Sequence, residues 1–306
     1  MDLKQLQYFV GVADARSFSR AAGLLKLAQP TLSRQIALLE KDLGYRLLVR
    51  TGRGVVPSEA GAALLVHARR MLESARLARE ELSELKESPV GRVAIGLPPR
   101  IALGASATLV GLFRDSMPRV VISIVEAQSP QLRAALLEGK LDLALLFDPA
   151  PSTQLHYEQL LRERLLLVAP KHDSALPERV SLPALSRYRM VLPAAPNAIR
   201  SLIDALLLPQ RIELDVVAEV GAVQTVLSLV ARGIGCTILP EGGLSLGAGE
   251  LALQTALIGP PTVHTSMVLA SHRAGHAGRA VQEAIRMLKG IDYSALKPPS
   301  AGLAAH

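Results

Sequence analysis

The sequence predicts a multidomain α+β chain: a small helical module with a hairpin, one long helix, and an α/β body. Three observations carry this. Positive charge is concentrated in the first 57 residues, an apolar heptad repeat without proline comes next, and the remainder alternates strand-like and helix-like apolar patterns. The chain has 306 residues, which suggests two or three domains. A hydrophobic fraction of 49% and a charged fraction of 20% exclude global disorder. One Cys excludes a disulfide framework or a Cys-rich zinc site and suits a reducing compartment. The amphipathic start lacks a signal-peptide core, and no run of 18 uncharged apolar residues could span a membrane; a cytoplasmic location is expected. Residues 1–57 hold nine Lys/Arg against four acids, a net of +5, whereas 58–88 carry −1. A basic module on a near-neutral body expects an anionic partner; nucleic acid, an acidic protein and a membrane surface all fit that charge.

The module reads as three helices. Leu3, Leu6, Phe9, Val10 and Ala13 form one buried stripe. Ser17 or Ser19 can cap a second helix holding Ala21, Ala22, Leu24 and Leu25. Pro30 suits the first turn of a third, which turns Leu32, Ile36, Leu39 and Leu43 inward and ends at Gly44. Its other face opens with Gln29, Pro30, Ser33 and Arg34. Tyr45–Val49 and Val55–Val56 read as two strands joined by a basic, glycine-rich turn holding Arg50 and Arg53. Such a winged helix-turn-helix would put the start of its third helix into a major groove, with Arg34 on guanine and Gln29 on adenine. A plain three-helix bundle with Arg34 merely solvated has the same periodicity.

These residues resemble a known family. Ser17-Phe18-Ser19-Arg20-Ala21-Ala22, Leu25, Gln29 through Ile36, Leu39-Glu40, Leu43-Gly44, Leu47-Leu48, Arg50 and Ser58-Glu59-Ala60-Gly61 are similar to the N-terminal pattern of LysR-type transcriptional regulators. Leu48 stands where Phe is usual, Ser58 where Thr is usual, and Arg16 where Gly is common. The resemblance implies that Gln29, Pro30, Ser33 and Arg34 line the DNA face and that the Arg50–Gly54 wing, with Arg50 and Arg53, lies on the phosphate backbone. It also implies double-stranded promoter DNA, a small-molecule effector, a homodimer or homotetramer, and RNA polymerase as partners.

Between Ser58 and Ser88 there is no proline, and Leu64, Ala68, Met71, Ala75, Ala78, Leu82 and Leu85 recur at alternating gaps of four and three. So narrow a seam predicts a helix-paired dimer; a helix packed on its own domain usually shows a wider stripe. In the body, Val93–Leu97, Val120–Val125, Leu141–Phe147, Leu165–Val168, Val216–Val220, Gly235–Leu239 and Thr265–Ala270 read as strands separated by helical patterns, which argues a parallel sheet. The resemblance implies two α/β lobes like those of periplasmic binding proteins. The domains expected are then 1–57 winged helix-turn-helix, 58–88 dimerising helix, 89–294 effector-binding (lobe one 90–162 and 266–294, lobe two 163–265), and a disordered tail over 295–306.

Three strand-to-helix turns are candidates for the effector cleft: one at Arg100, one at Ser129, and one at Pro196–Arg200 with Asn197 and Arg200. The resemblance puts Arg100 and Ser129 where family members contact inducers, and makes Pro196–Arg200 similar to the branch of nitrogen assimilation control proteins. Arg100, as a fixed positive fork, predicts an anionic effector. No cofactor, metal or catalytic group is expected. Gly233 and Gly235 come after a helix instead of opening one, Cys236 sits in an apolar strand, and His272 and His276 lack a companion acid. An enzyme is therefore not expected. Two other functions stay open: a solute-binding or enzymatic α/β protein with an incidental helical appendage, and an effector-independent DNA-binding protein.

Overall fold

The computed structural model describes residues 1–52, 54–84, 90–171, 175–246, 251–273 and 278–296. The chain divides into two compact units, the first built on Met1–Val90 and the second on Gly91–Leu136, Leu141–Ala274 and the chain from Ala280 onward.

The first unit begins with α1 (Leu3–Ala15), started by a reciprocal cap. The Asp2 carboxylate accepts the Gln5 N–H at 2.8 Å, and the Gln5 side chain accepts the Asp2 N–H at 3.2 Å. Arg16 ends the helix in the left-handed region at φ 51°, which accounts for Gly being common there in the family pattern. Ser17 rather than Ser19 caps α2 (Phe18–Leu24). Then α3 (Gln29–Leu43) starts with Pro30 in its first turn and stops at Gly44, φ 75°. Leu6, Phe9, Val12, Ala21, Leu32, Ile36, Leu39 and Leu47 form the core between the three. Next comes the hairpin of β1 (Leu48–Thr51) and β2 (Gly54–Pro57). Strand pairing starts three residues later than Tyr45 because the Glu40 carboxylate takes the Leu47 and Leu48 N–H groups, at 2.7 and 3.2 Å.

The long helix α4 spans Glu59–Glu84. Ser58 caps it, accepting the Gly61 N–H at 3.0 Å and donating to the Arg46 carbonyl. Its first half belongs to the module: Ala68 is fully buried in the core, and Leu64, Leu65, Met71 and Leu72 pack against it. Arg69, also buried, pairs with Asp14 of α1. This corrects the seam, since Ala68 is covered by its own chain.

In the second unit β3 (Gly91–Leu97), α5 (Pro99–Ser116), β4 (Val120–Glu126), α6 (Ser129–Leu137) and β5 (Leu143–Phe147) alternate, with β3 parallel to both β4 and β5. The strand β6 (Leu155–Pro170) runs 16 residues, far longer than expected. After it come β7 (Arg179–Val180), β8 (Arg189–Leu192), α7 (Ala198–Leu207), β9 (Asp215–Glu219), α8 (Val223–Ala231), β10 (Thr237–Pro240), β11 (Leu253–Ile258), β12 (His264–His272) and α9 (Arg279–Gly290). Residues 155–164 of β6 pair with β12, which also pairs with β5, while residues 165–170 pair with β10 and β11. One strand thus joins the sheets of two α/β lobes.

All these pairings of β6 and β12 are antiparallel, so the sheet is mixed rather than parallel. Continuous apolar runs report burial on both faces, not strand direction. The second lobe buries Leu165, Leu167, Met190, Ile203 and Ile238 on the α7 side and Leu166, Val168, Val191, Leu227 and Leu239 on the α8 side.

Candidate functional site

At the start of α3, Gln29, Pro30 and Arg34 are exposed and Ser33 is half-buried. The Gln29 carbonyl oxygen accepts from the Ser19 hydroxyl at 2.8 Å, so Ser19 orients the side chain and leaves its amide N–H groups to donate. Arg50 lies 5.7 Å from the Phe18 ring centroid, steadied against α2. Arg53 lies outside the described residues.

The acids of this module are all committed locally. Asp2 caps α1, Asp14 pairs with Arg69, Glu40 takes two hairpin N–H groups, and Asp42 pairs with the N-terminal amine. Meanwhile Lys4, Arg16, Arg20, Lys26, Arg34, Lys41, Arg46 and Arg50 are exposed. No described acid forms an ion pair with any of these eight. These eight described bases are therefore free surface charge, and the start of α3 stands among them. Further along, Ala75 is half-buried and Ala78 exposed on α4; the Leu82 side chain and Leu85 lie outside the described residues.

The second unit holds a cavity of about 290 Å³. The starts of α5, α6, α7 and α8 converge on it, as the carboxyl ends of β3, β4, β8 and β9 require. Leu103, Phe147, Ile199, Val223 and Leu239 make its walls mostly apolar. Ser129 is buried in the wall, and its hydroxyl oxygen accepts the Phe147 N–H at 2.9 Å. Asn197 caps α7, its Oδ1 accepting the Ile199 and Arg200 N–H groups at 2.9 and 3.3 Å. Its Nδ2 donates to Gln128 Oε1 at 3.3 Å, linking the two lobes beside the cavity. By contrast α8 starts at Ala222 without a side-chain cap, so its first-turn N–H groups are open to a ligand acceptor.

Two expectations change here. Arg100 lines the cavity, but its fork is already filled: Nη1 and Nη2 donate to the two carboxylate oxygens of Glu163. The side chains are only 10% and 6% exposed, Arg100 lies 5.3 Å from the Phe147 ring centroid, and Gly242 N–H donates to Glu163 Oε1 at 2.8 Å. Arg200 does not line the cavity. It pairs with Glu219 and Asp204, whose carboxylates, Glu219 foremost, hold its guanidinium above the ordinary range. Beside the cavity Arg164 pairs with Glu241 and holds that carboxyl below its ordinary range. Glu163, Gly242 and Phe147 are site residues that the sequence alone does not reveal, whereas Gln128 belongs to the strand-to-helix turn already read at Ser129; Glu163 sits in the alternating stretch Arg162-Glu163-Arg164, and nothing in its spacing links it to Arg100. Among the described residues no three His, Cys, Asp or Glu cluster as metal ligands, and no helix is long and apolar enough to cross a membrane.

A winged helix-turn-helix with unpaired basic charge, carried on the same chain as a two-lobed α/β body with an interlobe cavity, defines a ligand-responsive DNA-binding regulator. The family model described as "Bacterial regulatory helix-turn-helix protein, lysR family" matches residues 3–62, and the "LysR substrate binding domain" matches 86–291. The chain belongs to the LysR family of transcriptional regulators, with a DNA-binding domain and an effector-binding domain. It is 33% identical over 270 residues, 88% of each chain, to the nitrogen assimilation regulatory protein nac of Klebsiella aerogenes, in keeping with the likeness read from Pro196–Arg200. Its fold is shared by a full-length OxyR variant from Pseudomonas aeruginosa (TM-score 0.77, 20% identity, 97% of both chains). CbnR complexed with its target DNA shares it too, at a TM-score of 0.60 and 22% identity over 94% of this chain and 99% of that one.

Proposed function

We propose that this regulator reads promoter DNA through the start of α3 as a homodimer or homotetramer in the cytoplasm, and that a small molecule in the interlobe cavity sets its activity. Gln29, Pro30, Ser33 and Arg34 contact bases, while Arg50 and Arg53 hold the phosphate backbone. RNA polymerase is the partner through which promoter output changes. The observation that carries the DNA reading is the exposed Arg34 at the start of α3, in a module whose four acids are all committed elsewhere.

One bidentate base contact contributes about 1–3 kcal/mol of discrimination. Arg34→Ala should therefore lower operator affinity by about that much while leaving random-sequence affinity nearly unchanged. Arg53→Ala should weaken both and flatten the salt slope by about one unit. Competition binding at two salt concentrations separates the two; equal losses on both DNAs for Arg34→Ala would remove it as a base reader.

The dimer uses the half of α4 beyond the module, with Ala75 and Ala78 facing the partner; further along the seam, the Leu82 side chain and Leu85 lie outside the described residues. Met71 is a poor probe because it packs on its own core. The exposed Ala78 is a better one: Ala78→Glu would set like charges against each other in an apolar seam and should weaken association about tenfold or more. Sedimentation equilibrium reads this, and an undiminished dimer would move the interface elsewhere.

Ser129, Gln128 and the open start of α8 hold the polar end of the effector, and the apolar walls hold its body. The anion expected from the sequence rested on Arg100, whose charge Glu163 already neutralises. A ligand shifts the regulator only by binding its two arrangements unequally, and a cavity walled by both lobes provides that difference.

A further inference from the structure

We propose that Glu163 acts as a built-in carboxylate that occupies the Arg100 fork, so that the cavity rejects ligand carboxylates and selects an uncharged effector with a carbonyl-type acceptor. The inference rests on the effector reading above and names the chemical class that the same cavity takes.

Among the described residues the fork is the one strongly cationic group on the cavity wall, and both of its donor arms point at Glu163. A ligand carboxylate reaching Arg100 must displace Glu163 or share the guanidinium with it. Sharing brings two carboxylates together in a site where both protein side chains are nearly enclosed. Displacement strands Glu163 with one backbone donor, Gly242 N–H. Arg164, one of the two cations flanking Glu163 on β6, is held by Glu241.

Packing fixes the arrangement as well as charge does. Arg100 lies against the Phe147 ring, and a Cβ on Gly242 would overlap both Arg100 Nη1 and Glu163 Oε1. Glu126, exposed at the cavity edge, adds a negative charge facing any entering anion. What remains for a ligand is apolar wall together with the uncapped α8 start, which offers N–H donors and a partial positive charge. That suits an amide, ketone or ester oxygen, which needs donors but brings no charge to desolvate.

The test uses the full chain and two matched probe pairs, hexanoate with hexanamide and cyclohexanecarboxylate with cyclohexanecarboxamide. Methyl NMR of Ala198 and Val223, which line the cavity, reports occupancy and affinity. In the wild type the amides should shift these methyls and the carboxylates should bind about tenfold or more weaker. Glu163→Gln keeps the shape and the acceptor for Gly242 N–H but frees the Arg100 charge. It should raise carboxylate affinity by about tenfold or more, past the amides. Arg100→Gln with Glu163→Gln should abolish that gain.

Equal wild-type affinity for each acid and its amide would overturn the inference without needing any variant. So would a folded Glu163→Gln protein that still favours the amides. If neither probe class moves the Ala198 or Val223 methyls in any variant, the cavity reading itself falls and takes this inference with it.

Discussion

Arg100→Ala is expected to destabilise the second unit by about 3–5 kcal/mol, a large share of the roughly 5–15 kcal/mol that holds a domain folded. The variant leaves Glu163, 6% exposed, with Gly242 N–H as its remaining donor, so most of the loss is the desolvation of an unpaired carboxylate. The contact with the Phe147 ring goes too, contributing about 0.5–2 kcal/mol. Replacing both partners at once, Arg100→Met with Glu163→Leu, should cost much less than either single change, because no buried charge is stranded. Urea unfolding monitored by far-UV circular dichroism suits a chain without Trp. A loss below about 1 kcal/mol for Arg100→Ala would mean that the pair is solvated rather than buried.

Gly61→Ala should cost about 3 kcal/mol and impair DNA binding with it. Gly61 sits in the first turn of α4 with its Cα against the chain entering the hairpin. An added Cβ would stand 2.9 Å from the Leu47 carbonyl carbon and inside the contact distance of its oxygen. That oxygen already accepts the Ser58 N–H at 2.9 Å, and Glu40 fixes the Leu47 N–H. The obstacle is backbone pinned from both sides, so it cannot swing away as a side chain would. Relief requires moving α4 off the module, which uncovers Ala68 and unpairs Arg69 from Asp14. The contrasting change is Gly23→Ala on α2, where a Cβ meets nothing within 4 Å; it should stabilise by up to about 1 kcal/mol. Thermal melts of the two variants should move in opposite directions.

The legible parts of this molecule are those whose causes are local. Ser17, Pro30, Gly44 and Ser58 act on backbone within a turn of themselves, so the helix boundaries of the module can be read from the sequence. The features that sequence misplaces depend on distant partners. The heptad repeat identifies an apolar seam on α4 but not which chain covers each position, and Ala68 faces its own core. Arg100 can be placed at a strand-to-helix turn, but its partner is 63 residues away on β6. That acid sits in a stretch whose alternating charges hide a strand joining two lobes. For Arg200, Asp204 stands at the readable i+4 spacing, whereas Glu219 arrives only through the parallel pairing of β8 with β9. Arg16 shows the complementary case: the family pattern marks the position, and its positive φ supplies the reason.

In vitro selection from a random duplex library tests most directly whether this chain reads DNA sequence as a symmetric assembly. Repeated capture by the full chain should enrich two half-sites of inverted sequence, with centres one helical turn of about 10–10.5 base pairs, or a multiple of it, apart. Arg34→Ala should blur the base preference at one position of each half-site. Recovery of a pool no different from the input, with all variants binding it alike, would contradict the claim.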